Sequence, residues 1–216
     1  MGRVTGDHTG SGCPGDPAVA GRETTLGVVP WASAAAWREG QLSLTRTLAA
    51  SRADLDDAAA LAGRIVHRYD LAGDLFDELA DVTCGSCRRP CCLDAKVWLD
   101  FKDLLFIHLS GQQPPPGQLR GGWWGRCRYL TANGCGLPRA LRPWVCTWYI
   151  CPDQRRAIAR GLPGAPARLA RWWSEIAAWR DRMELAFINA VHRPTDRVAP
   201  LLGDAHGRSI QPPKRT

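Results

Sequence analysis

Eight of the chain's nine cysteines fall between Cys84 and Cys151, and their spacing constrains the fold more than any other feature. They form two groups. The first is Cys84-Gly-Ser-Cys87-Arg-Arg-Pro-Cys91-Cys92. The second is Cys127, Cys135, Cys146 and Cys151, separated by 7, 10 and 4 residues. A Cys-x2-Cys pair is a tight clamp that can bring two thiolates onto one ion, and Gly85 supplies the backbone freedom its turn needs. Pro90 fixes the chain before Cys91 and Cys92. Neighbouring side chains point apart, so that pair either serves two centres or provides one ligand and one supporting thiol.

Four plus four thiolates permit two zinc sites, a four-iron four-sulfur cluster beside a four-thiolate zinc site, or a cluster with spare thiols. A plain alternative is a structural metal that staples irregular loops without reactivity. The stretches between the cysteines read as poor in core-forming residues, so metal loss is expected to unfold residues 84–152. Cys13, outside both groups, reads as a free thiol without a role.

Redox compartment bears on this reading. No run approaches the roughly 18 uncharged apolar residues of a membrane span. Residues 1–27 hold seven glycines and no apolar core of the secretory type. The chain therefore reads as cytoplasmic, where thiols stay reduced and cysteines serve as ligands rather than disulfides.

The net charge of +7 is unevenly spread. Residues 1–40 carry −1, 41–83 carry −4, 84–163 carry +8 and 164–216 carry +4. Basic excess beside the cysteines suits either nucleic acid or local compensation of anionic metal–thiolate centres. No groove-reading motif accompanies it, so nucleic acid is the less favoured partner. A protein or small-molecule partner is left unspecified.

Residues 1–27 read as a disordered leader, 28–192 as one domain with the cysteine module at 84–152, and 193–216 as a loose tail. From Ser51 to Val82 apolar residues recur at helical spacing, with Asp70, Gly73 and Asp74 interrupting, which predicts two helices or one kinked helix. Val97–Leu99 predicts a short strand or an extended lead-in. Asp100 followed by Asp103 predicts a helix start, and Gly111 its end. Pro114–Gly117 and Gly161–Pro166 read as loops. A last helix is predicted from about Pro166 to Val191, with an apolar face that includes Leu169, Trp172, Trp173, Ile176, Trp179, Met183 and Phe187. His108, within an apolar helical run, reads as a satisfied core or interface histidine. The fold class that follows is mainly α, with helices packed around an irregular cysteine-rich metal-binding core and little extended structure.

Choice of metal rests on spacing and surroundings. The second group is wider than a zinc knuckle and includes no histidine, which suits a larger centre. Trp123, Trp124, Tyr129, Trp144, Trp148 and Tyr149 all lie within five positions of Cys127 or Cys146, where they are expected to exclude water. Arg142 is expected to donate either to a cluster sulfur or to a backbone carbonyl. These features lean toward iron–sulfur, with zinc still open.

The same residues carry a resemblance. Cys84-x2-Cys87-x3-Cys91-Cys92, Asp103-Leu104, Cys127-Arg-Tyr-Leu, Asn-Gly-Cys135, Arg142-Pro143-x2-Cys146 and Cys151 together resemble the YkgJ-type cysteine-cluster family, described as zinc- or iron-chelating. Its pattern places two residues before the Cys-Cys pair, where this chain has Arg88, Arg89 and Pro90. The resemblance covers residues 84–152. It implies a metal-binding protein holding zinc or an iron–sulfur cluster through Cys84, Cys87, Cys91, Cys92, Cys127, Cys135, Cys146 and Cys151. Similar clusters occur in a flagellin lysine methylase, which implies an iron–sulfur enzyme of methyl or electron transfer as one alternative. A structural zinc module that binds a macromolecular partner is the other. The sequence assigns no catalytic residue.

Overall fold

A computed structural model describes residues 28–84, 87–88, 90–161 and 164–192. The expected leader, the expected tail and Cys13 lie outside the described residues. The fold is mainly α-helical, with seven α-helices and one minimal hairpin among the described residues.

Helix α1 (Ala34–Ala50) starts at Ser33, whose hydroxyl accepts the Ala36 N–H at 3.1 Å. This cap satisfies one of the amides that a helix start leaves unpaired. Trp37 and Leu44, two turns apart, bury the helix against the core. The Trp37 indole N–H donates to the Pro115 carbonyl at 3.1 Å, which anchors the Pro114–Gly117 loop to α1.

After a 3-10 turn at Arg52–Asp54, α2 runs unbroken from Asp56 to Thr83. Of the two alternatives for this stretch, two helices or one, the structure has one helix. Ala58, Leu61, Ala62, Ile65, Tyr69, Ala72, Phe76 and Leu79 are all buried, at spacings of three and four that carry straight through Gly73. Gly73 costs about 1 kcal/mol within a helix, far less than the packing lost by breaking the stripe. Asp70, which reads as an interruption, is simply exposed.

Helix α7 (Ala165–Val191) lies antiparallel along α2 and makes the most extensive helix–helix contact of the fold. Its C-terminal half, Ile176 to Ala190, joins Ala58–Tyr69 in one apolar cluster. Its N-terminal Ala165 and Leu169 join Ala72, Phe76 and Leu79 in another. Ile158 of α6 (Pro152–Gly161) completes the second cluster. No helix among the described residues is long and apolar enough to cross a membrane.

Helix α4 (Phe101–Leu109) fills the centre. Leu104, Leu105, Phe106 and Ile107 are consecutive and all at most 2% exposed, as a helix apolar on every side must be. Asp100 and Asp103 form a reciprocal capping box. The Asp103 N–H donates to Asp100 Oδ1 at 2.8 Å and the Asp100 N–H to Asp103 Oδ2 at 3.1 Å. Gly111, at φ 72°, follows the helix end. His108 Nε2 is 2.7 Å from Gln41 Oε1, a contact between α4 and α1. That histidine is thus an interface residue with a partner, and burial lowers its pKa.

Val97–Leu99 forms no strand ladder. Leu99 is fully buried, and a side chain takes the place of a neighbouring strand. Gln118 Oε1 accepts the Leu99 N–H at 2.8 Å and the Leu119 N–H at 2.9 Å. Gln118 Nε2 donates to the carbonyls of Leu99 at 3.0 Å and Pro30 at 3.1 Å. Gln118 is 0% exposed with its carboxamide fully used. Gln118→Leu is expected to destabilise by about 2–3 kcal/mol, since it strands buried backbone groups in an apolar pocket. Urea unfolding measures this, and a loss under about 1 kcal/mol would mean that water or neighbouring chain takes over the role.

The hairpin pairs β1 (Leu130–Thr131) with β2 (Gly134–Cys135), in register Leu130 to Cys135 and Thr131 to Gly134. Two short helices complete the list, α3 (Cys91–Asp94) and α5 (Trp144–Trp148). Both begin directly after a proline, Pro90 and Pro143. Both carry cysteines.

Candidate metal centre

Each cysteine is placed by a short local device. Cys84 follows the last residue of α2, and the Cys87 N–H donates to its carbonyl at 3.2 Å, closing the Cys-x2-Cys turn. Cys91 and Cys92 open α3. Cys127 leads into the hairpin and Cys135 ends it. The Cys127 N–H donates to the Cys92 carbonyl at 3.4 Å, which joins the two cysteine groups through the backbone. Gly134 sits at φ 107°, and a Cβ there would stand 3.3 Å from Cys84 Cβ. The hairpin therefore packs on Cys84 through a residue that has no side chain to obstruct it.

Cys151 immediately precedes α6 and acts as its cap. The Gln154 N–H donates to Cys151 Sγ at 3.4 Å, and Gln154 Oε1 accepts the Cys151 N–H at 3.2 Å. This is a capping box with sulfur in the place of a hydroxyl. Gln154 Nε2 also reaches Cys84 Sγ at 4.0 Å, so one residue contacts thiols from both groups, Cys151 through its backbone N–H and Cys84 through its side chain.

Cys146 lies in α5, and α5 is fixed to the core at three points. The Trp144 N–H donates to Asp103 Oδ1 at 3.0 Å. The Arg180 guanidinium sits 5.6 Å from the Trp144 ring and donates to the same Asp103 oxygen at 2.7 Å. The Thr147 hydroxyl meets the Tyr69 hydroxyl at 3.4 Å. Burial pushes the Tyr69 phenol up to about 12. It also pushes the Asp103 carboxyl up to about 6, against the pull of Arg180. Asp103 is 3% exposed and accepts from both Arg180 and the Trp144 N–H.

The thiols influence one another. Burial, then the neighbouring Cys135, Cys127, Cys91 and Cys84, push Cys92 up to about 11. Burial, then Cys135, Cys92 and Cys127, push Cys146 up to about 12. Cys127 is raised by burial and by Cys135, and is held down by the backbone N–H groups of Tyr129 and Leu130 and by Arg120. Cys84 is raised by burial, with Cys151 and Cys87 adding to it. Cys135 thus acts on Cys92, Cys127 and Cys146, and Cys151 and Cys87 act on Cys84. Cys127 is buried and Cys87 exposed. The approach stops short of a ready-made coordination shell: among the described residues no three His, Cys, Asp or Glu side chains stand so that they could hold a metal ion.

Arg120 is the residue that the sequence concealed. It is 1% exposed, and its guanidinium donates to the Cys92 carbonyl at 3.2 Å and to the Gly125 carbonyl. Among the described residues no carboxylate pairs with it. A buried cation of this kind needs negative charge or acceptors nearby, and what it has are these two carbonyls and the Cys127 thiol, whose pKa it lowers. Gln154 was within reach of sequence reasoning, since Cys151-Pro-Asp-Gln154 has the proline, early acid and Gln of a helix start. Arg120 offers no local pattern. Arg142, for which a sulfur and a carbonyl were both open, donates through Nε to the Leu137 carbonyl at 2.8 Å.

The expected aromatic shield is only partly present. Trp144 and Tyr129 are half-buried and pack on the core. Trp124, Trp148 and Tyr149 are exposed, Trp124 at 85%. Nearness in sequence to a cysteine brought these rings to the neighbourhood without turning them inward. Comparisons with family models, with curated proteins and with solved structures found no match to this chain.

Proposed function

We propose that this protein binds metal through Cys84, Cys87, Cys91, Cys92, Cys127, Cys135, Cys146 and Cys151, as zinc or as an iron–sulfur cluster, in the manner of the YkgJ-type family it resembles. The observation that carries this reading is a buried guanidinium, Arg120, which donates to the Cys92 carbonyl and acts on the Cys127 thiol with no carboxylate paired to it among the described residues. Protonated thiols would leave that cation without compensation at a cost of several kcal/mol, whereas metal-bound thiolates leave net negative charge beside it. The donor set fits as well. It is all sulfur, and backbone N–H groups already point at Cys127, as they do where thiolate charge must be stabilised. Zinc there would act as a cross-link between α2, the hairpin, α5 and α6, and an iron–sulfur cluster would supply one-electron chemistry. The chain's own contribution is to hold the thiols at the end of α2, in α3, the hairpin and α5, and at the start of α6.

Anaerobic purification with metal and acid-labile sulfide analysis tests the reading. Brown protein that bleaches in air indicates a cluster, colourless protein with stoichiometric zinc indicates the zinc form, and protein with neither sinks the proposal. The same assay ranks the cysteines. Ser at Cys84, Cys87, Cys135, Cys146 or Cys151 is expected to lower metal content severalfold, because a hard oxygen replaces a soft thiolate. Cys13→Ser should retain the parent's content, and equal content in Cys13→Ser and Cys87→Ser protein would overturn the ligand assignment.

A further inference from the structure

The turn that precedes Cys127 has the wrong residues for a turn. The Gly125 N–H donates to the Gly122 carbonyl at 3.1 Å, so Trp123 and Trp124 occupy the two central positions of a β-turn. Those positions favour Gly, Asn, Asp and Pro for conformational reasons, and two indoles serve none of them. Trp124 is 85% exposed, more than any other large apolar side chain described. Leaving an indole in water forgoes the burial that makes tryptophan useful in a fold.

The turn is also held rigidly. Lys96 Nζ donates to the Trp123 carbonyl at 2.9 Å and stands 4.6 Å from the Trp124 ring centre and 5.8 Å from that of Trp123. Arg120, fully buried, holds the Gly125 carbonyl. Trp98 packs on Trp123 with centroids 5.9 Å apart. The exposed indole is therefore presented by a fixed scaffold rather than left on a loose loop. Arg126 and Arg128 follow it and are exposed. The Arg128 guanidinium lies over the backbone, where a Cβ on Gly117 would meet it at 3.0 Å and one on Gly121 at 2.9 Å.

We propose that this turn is a docking site for single-stranded nucleic acid, with Trp124 stacking a base and Lys96, Arg126 and Arg128 neutralising the adjoining phosphates. A free aromatic face beside cations is the combination that sequence-tolerant single-strand binding uses. The absence of a groove-reading motif bears on duplex recognition and leaves this mode untouched. A bilayer surface fits less well, because Trp123 is half-buried against Trp98 and the other residues around Trp124, Gly122, Gly125 and Arg126, offer no wider apolar face. The inference stands on the turn alone and does not depend on which metal the cysteines hold.

The test is fluorescence anisotropy of labelled poly-dT and poly-rU strands with the full chain purified anaerobically. A matching duplex and vesicles of phosphatidylcholine with phosphatidylserine serve as competitors. The expected result is binding to both strands in preference to duplex, with a log–log salt slope of about −2 for three phosphate contacts. Trp124→Ala should weaken binding about tenfold, with metal content and circular dichroism unchanged, and Trp124→Phe should recover part of the loss. Arg126→Ala should flatten the salt slope by about 0.7. No strand binding by the parent chain, undiminished binding by Trp124→Ala, or binding to vesicles alone would each overturn the proposal.

Discussion

If the cysteines hold a metal as proposed, stripping it with a strong chelator should raise amide exchange by orders of magnitude over residues 87–95 and 123–151, while α2, α4 and α7 keep their protection. The two halves of this expectation have different causes. The cysteine-bearing elements are too small to hold themselves. The hairpin has two residues per strand, α3 four residues and α5 five. Isolated helices of that length are unstable in water. Structural zinc in small peptides supplies about 10–16 kcal/mol of apparent folding free energy, so its loss is not a minor perturbation. The intervening segment is another matter. Reading residues 84–152 as poor in core-forming residues was mistaken, since Leu99, Leu104–Ile107 and Leu119 are among the most buried in the chain. They share one cluster with buried residues of α2 and α7, which also takes in Cys127 and has Cys92 and Cys135 packed against it. Hydrogen exchange followed by mass spectrometry separates the regions. Unchanged exchange at Cys127, Leu130 and Cys146 after complete metal removal would refute the coupling. Uniform loss of protection through α4 and α7 would instead make the metal the staple of the whole fold.

How much of this was legible in the sequence depends on how local each signal is. Helix α4 announced itself because Asp100 and Asp103 are a capping pattern complete within four residues. Helix α7 did so because its apolar stripe runs for seven turns. Helix α1 gave little warning, since its fully buried apolar residues are Trp37 and Leu44 alone while Leu42 is 55% exposed. In α2 the opposite error arose. Asp70 and Gly73 look like punctuation, but the stripe from Tyr69 through Ala72 to Phe76 never loses phase, and tertiary burial outweighs one glycine. The cysteine list came from spacing alone, and spacing shows which residues share a chemistry without showing how they meet. Gln118, Arg120 and Arg180 lay beyond reach for a common reason. Each is a buried polar residue whose partners are distant in sequence, and local periodicity carries no trace of such pairings. Indeed Arg180 sits on the face of α7 that otherwise reads as purely apolar.

Breaking the pair between Asp103 and Arg180 should have the largest effect of any single substitution away from the cysteines. Both side chains are nearly inaccessible, at 3% and 4% exposure, and they meet at 2.7 Å. Asp103 does three things at once. Its Oδ2 closes the capping box of α4, its Oδ1 accepts from Arg180, and the same Oδ1 accepts the Trp144 N–H that starts α5. Removing Arg180 leaves Asp103 buried without its counter-charge, at about 3–5 kcal/mol, whereas removing the Asp103 charge leaves Arg180 the exposed Asp100 at 3.7 Å. Arg180→Met is expected to fall in that range by urea unfolding and Asp103→Asn at its lower end. The double variant buries no lone charge and keeps an amide oxygen for Trp144, so it should cost less than the sum of the singles by about 2–3 kcal/mol. Stability alone would not distinguish a core ion pair from one that positions Cys146. Metal content supplies the second readout. Asp103→Asn should lower metal retention under chelator challenge severalfold, because it weakens the anchor of α5, and Gln118→Leu, destabilised at a distance from α5, should lower it much less at equal temperature above the melting onset of neither protein. Strict additivity of the two substitutions would dissolve the pair as an energetic unit. Parent-like metal retention in Asp103→Asn would detach it from the cysteine centre.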